Sequence, residues 1–81
     1  MSLEDFSEEV CIKKIKAVSS FYTNNEKERD FIFEKSSEYF ANQYTELREK
    51  GKNEKIARNS SLMKTIEHMT KMVNEMYSED N

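Results

Sequence analysis

The chain has no proline, one glycine, one cysteine and one histidine among its 81 residues, and each scarcity excludes a class of molecule. A many-stranded fold needs frequent tight turns, which proline and glycine supply, so an all-β protein is not expected. Lone Cys11 cannot form an internal disulfide, which argues against a small secreted scaffold and for a reducing, intracellular and cytoplasmic setting. No apolar run approaches the roughly 18 residues of a membrane span. The opening "MSLEDFSEEV" is acidic, without the basic flank and apolar stretch of a signal peptide.

Soft metal ligands are equally scarce. His68 and Cys11 are the whole stock, and Cys-x-x-Cys, His-x-x-x-His and Glu-x-x-His are all missing, so zinc and di-iron sites lack their spacing. Glu4, Asp5, Glu8 and Glu9 are accounted for by the preference of acids for a helix N-terminus. No metal or cofactor is expected. A nucleophilic serine needs a base within hydrogen-bond reach, and with one histidine on the solvated side of its helix no such arrangement is foreseen. An enzyme is therefore not expected.

What is present is helical. Hydrophobic residues make up 36% of the chain and charged residues another 36%, the balance of helices that bury one stripe and solvate the rest. The apolar spacing predicts three helices over about 3–21, 25–49 and 53–77. In the first, Cys11, Ile15, Val18 and Tyr22 step by four, three and four, with Ser2 and Asp5 as a reciprocal cap. The second carries Phe33, Ser37, Phe40, Tyr44 and Leu47, flanked by Ile32 and Tyr39. It stops at "REKGKN", where Gly51 suits a left-handed cap, and Asn53 then suits the N-cap of the third. That helix repeats the alternation with Leu62, Ile66, Met69, Val73 and Met76, and "SEDN" (78–81) is read as a frayed acidic tail.

The expected architecture is all-α: one domain forming an antiparallel three-helix bundle, or a long coiled-coil-like hairpin completed by a second chain. Short connections favour antiparallel neighbours in either case. Four of the five methionines fall within Leu62–Tyr77, a flexible, polarizable set suited to irregular cores or adaptable surfaces. Phe31 and Met72 fall off the stripes. With Phe6, Met63 and Tyr77 they are the candidate partner interface.

Nucleic acid is not the expected ligand. Formal charge is −3, and the basic stretch "REKGKNEKIAR" is diluted by Glu49 and Glu54. The functional expectation is a protein–protein interaction module (adaptor, chaperone or regulatory subunit), its partner another protein chain, self or heterologous. The alternative is a small acidic inhibitor of the kind phages and viruses encode, blocking an enzyme or a nucleic-acid binder.

Overall fold

The computed structural model describes residues 7–78, with the side chain of Ser78 outside that description. Three helices, α1 (Glu8–Tyr22), α2 (Glu26–Glu49) and α3 (Glu54–Ser78), form an antiparallel bundle in which every pair of helices touches, α2 and α3 most extensively. No strand occurs among the described residues.

Each boundary has a local cause. α1 starts later than the spacing suggests. Ser7 is extended, at φ −66° and ψ 164°, and its hydroxyl oxygen accepts the Val10 N–H at 3.2 Å. Ser7 thus occupies the capping role assigned to Ser2, a residue that, like Leu3, Asp5 and Phe6, lies outside the described residues. Satisfying one orphan N–H this way contributes about 1 kcal/mol.

The α1–α2 connection is wired through Thr23. Its hydroxyl accepts the Asn25 N–H at 3.1 Å and donates to Glu28 Oε1 at 2.9 Å, while Asn25 Oδ1 accepts the Glu28 N–H at 3.0 Å. This is a capping box with a hydroxyl relay in it: Glu28 answers Thr23 rather than the Asn25 backbone.

α2 ends in a Schellman motif. Lys52 N–H reaches Leu47 O at 3.1 Å and Gly51 N–H reaches Arg48 O at 3.0 Å, a closure that needs a left-handed residue. Gly51 supplies it at φ +91°. Arg48 Nη1 donates to Lys52 O at 2.9 Å across the turn, and Asn53 Oδ1 then accepts the Ile56 N–H at 2.9 Å to start α3.

The core is one cluster, formed by Cys11, Ile15, Ile32, Phe40, Leu62, Met69 and Val73. Of the expected seam, Ile15, Phe40, Leu62, Met69 and Val73 are buried, whereas Val18, Phe33, Tyr44, Leu47, Ile66 and Met76 are half-buried. On α2 the fully buried line is Ile32, Ser36 and Phe40, so that helix is rotated slightly from the four-three reading, and Ile32 rather than Phe33 is central.

Each helix also carries a pair of adjacent serines, Ser19–Ser20, Ser36–Ser37 and Ser60–Ser61. One member of each pair (Ser19, Ser36, Ser61) is fully buried, together with Thr65 and Ala57. Small side chains let three backbones approach a common axis. Ser19 Oγ donates to Ile15 O at 2.9 Å and Thr65 Oγ1 to Ser61 O at 2.6 Å, which satisfies hydroxyls within the helix that carries them. Ser36 Oγ and Ser61 Oγ have no hydrogen-bond partner among the described residues.

The helices differ in length, and this positions the site. At ~1.5 Å per residue, the 24 and 25 residues of α2 and α3 span roughly 36 Å, against about 22 Å for the 15 residues of α1. Tyr22 Oη lies 2.8 Å from Thr70 Oγ1, and Tyr77 Oη donates to Glu28 Oε1 at 3.5 Å. These bonds fix the C-terminal end of α1 beside the start of α2 and the end of α3. Among the described residues, α1 therefore stops short of the other end, around the Gly51 turn.

Candidate functional site

That open end of the hairpin carries a cleft of about 170 Å³ lined by Glu8, Phe40, Ala41, Tyr44, Thr45 and Arg58. Three helices contribute to it. Glu8, the first residue of α1, forms one wall, a turn and a half of α2 forms the floor, and Arg58 reaches in from the first turns of α3. The Phe40 and Tyr44 rings lie nearly parallel, with centroids 6.4 Å apart and an angle of 19°, as four-residue spacing on one helix dictates.

Arg58 is the unusual member. Its side chain is only 18% exposed, and its ion pair with Glu54, Nη1 to Oε2, is long at 3.6 Å. Its Nε–H has no hydrogen-bond partner. Arginine is seldom this buried without full pairing, because its donors must give up water. Arg58 precedes buried Leu62 and Thr65 by four and seven residues, so its inward direction was legible as a stripe position. The sequence reading counted it only as part of the basic stretch around the Gly51 turn.

The surrounding segment is basic. Residues 44–58 hold five Lys or Arg and three Glu, while the rest of the chain holds eight basic and thirteen acidic side chains. Lys50 Nζ pairs with Glu46 at 3.2 Å. Such an exposed four-residue pair contributes only about 0.3–0.5 kcal/mol.

A second, shallower groove lies between α2 and α3, lined by Tyr39, Gln43, Lys64, Glu67, His68 and Lys71. Here the Tyr39 and His68 rings stack at 4.1 Å with an interplanar angle of 2°. His68, expected on the solvated side, is half-buried against that ring. Its position one helical turn after buried Thr65 and two after buried Ser61 was the available signal.

Cys11 offers no reactive thiol. It is fully buried, and desolvation raises its pKa above the ordinary thiol value, although the charges of Arg58 and Lys14 pull the other way. A protonated, enclosed thiol is a poor nucleophile and a poor metal ligand. Among the described residues, no group of three or more His, Cys, Asp or Glu side chains is placed to hold a metal ion, and no helix is long and apolar enough to cross a membrane.

The candidate interface residues are spread over the molecule. Phe31, Met63 and Tyr77 are exposed and Met72 is half-buried, while Phe6 lies outside the described residues. Phe31 carries Lys35 Nζ 5.9 Å from its ring centroid. Phe21 and Ile56, absent from the expected set, are also exposed. Neither cleft brings these residues together. No family model, curated protein or solved structure matches this chain.

Proposed function

We propose that the chain is a non-catalytic protein–protein interaction module, an adaptor, chaperone or regulatory subunit, that acts through amphipathic helix packing with another chain. One observation carries the reading. In a chain only 36% hydrophobic, five large apolar side chains stand in water: Phe31 at 47% exposure, Met63 at 70%, and Phe21, Ile56 and Tyr77. Complete burial of a fully exposed side chain of this kind contributes about 1.5–3 kcal/mol, and each of these five leaves a share of it unrealised in proportion to its exposure. Methionine and aromatic side chains are also the types that adapt to and anchor partner surfaces.

The test is sedimentation of the purified chain over a wide concentration range. Association should appear as a mass above the 9.7 kDa monomer. Phe31→Ser with Met63→Ser should abolish it while leaving the melting temperature unchanged. A strictly monomeric chain with cooperative melting would count against the reading, because the exposed side chains would then have no use in association.

A further inference from the structure

The cleft at the open end of the hairpin lies where the described chain begins. Glu8, one of its lining residues, is the first residue of α1, so residues 1–6 enter the helix at the edge of the cleft. Its floor is aromatic and aliphatic, with Phe40 buried, Tyr44 half-buried and Ala41 between them. Its volume of about 170 Å³ suits a single phenyl ring, since an apolar cavity of roughly 150 Å³ admits benzene.

The start of α1 says which residue is aimed there. Ser7 is the N-cap: its hydroxyl accepts the Val10 N–H at 3.2 Å and its carbonyl the Cys11 N–H at 3.0 Å. Phe6 therefore holds the position just before the cap, and Cys11 is the fourth helical residue. An apolar residue before the cap commonly packs on the fourth, because helical side chains lean back toward the N-terminus. Cys11 is fully buried and belongs to the same core cluster as Phe40. It also neighbours the cleft: burial is the main cause of its raised thiol pKa, but the charges of Arg58 and Glu8, both cleft residues, act on it too.

We propose that the cleft is filled by the chain's own Phe6, whose ring packs on Cys11 and seats over Ala41 against Phe40 and Tyr44. The tether selects this occupant. Phe6 is two residues from Glu8, about 7 Å of chain at most on ~3.3–3.6 Å per residue. A ring held so close competes at an effective concentration on the order of millimolar, which a free partner or a second copy would have to exceed. The occupant is uncharged, so the opposed charges of Glu8 and Arg58 at the cleft neither recruit nor repel it. The proposal goes beyond the association reading and does not rest on it. It takes Phe6 out of the partner surface and leaves Phe31 and Met63 to meet another chain.

The test is NMR of the full isotope-labelled chain. Nuclear Overhauser contacts should join the Phe6 ring protons to the Ala41 methyl and the Tyr44 ring. Phe6→Ala should remove that ring current, shifting the amides of Ala41, Tyr44 and Thr45 as well as those of residues 7–11. Benzene should then perturb the same three amides in Phe6→Ala and leave the wild-type chain unchanged. Should Phe6→Ala fail to fold, the wild-type contacts decide alone.

Absence of those contacts, Phe6→Ala shifts confined to residues 7–11, or benzene entering the wild-type cleft would overturn the proposal. So would contacts found only between labelled and unlabelled chains in a mixed sample, which would give the cleft to a second copy. Sedimentation of the Phe6→Ala chain keeps the two ideas apart: self-association through Phe31 and Met63 persists there even where the cleft reading fails.

Discussion

The two ends of this bundle solve the same packing problem to different degrees. At one end three helices overlap, and Tyr22 reaches Thr70 while Tyr77 reaches Glu28 across helix boundaries. At the other, α2 and α3 continue past the start of α1, and Tyr44 and Leu47 are left half-buried with Ile56 exposed. The apolar pattern is continuous along both long helices, so the difference does not come from their composition. Among the described residues, it goes with the shorter length of α1. A stripe is buried only as far as something lies beside it.

Substitutions that probe the two ends sharpen this contrast. The largest effect is expected at Phe40→Ala, where loss of a buried ring should cost ~3–5 kcal/mol in urea unfolding; wild-type stability would mean that the ring is not in the core. Leu47→Ala, near the open end and half-buried, should cost roughly 1–2 kcal/mol, less than Phe40→Ala because much of the side chain already meets water. Equal costs would erase the distinction.

Gly51→Ala should cost about 1 kcal/mol. No atom lies within 4 Å of the added methyl, so the penalty is backbone strain at φ +91°. Its expected signature is faster amide exchange of Lys52 and Ile56 with little change at Met69.

Cys11 gives a pH test of the closed core. Its thiol pKa is raised by burial, so the folded state holds the proton more tightly than the unfolded chain. That contribution to stability is fully present below the unfolded pKa of ~8.5 and is lost as pH rises through the folded value. Stability should therefore fall in alkali, and Cys11→Ala should flatten that part of the profile. The smallest effect is expected at Phe21→Ser, within about 0.5 kcal/mol, since that ring is 87% exposed.

The three helices were legible in the sequence because their signals are local. Asn25 and Asn53 cap where the letters place them, and Gly51 turns where it must. Spacing alone could not supply the fine rotation of α2. A four-three pattern admits either Phe33 or Ile32 at the centre, and with a serine four residues after each the spacing does not choose; the buried line is Ile32, Ser36 and Phe40. The reading gave that axial role to Ser37. The cleft was less legible still. Glu8, Ala41, Thr45 and Arg58 come from three helices, and nothing in their sequence separation brings them together. Arg58 also resembles its solvated basic neighbours in every respect but its phase. The start of α1 was misplaced for a similar reason: Ser2 and Ser7 are both capping residues, and composition does not rank them.

The oxygens held inside this bundle mark a margin that the molecule does not use. Ser36 and Ser61 each turn a hydroxyl into the interior with nothing there to receive its proton. A methyl group fills nearly the same space and carries no dipole to strip of water. The interior could thus be made firmer without altering its outline, and a firmer scaffold would tolerate bolder changes on the faces that meet the outside world.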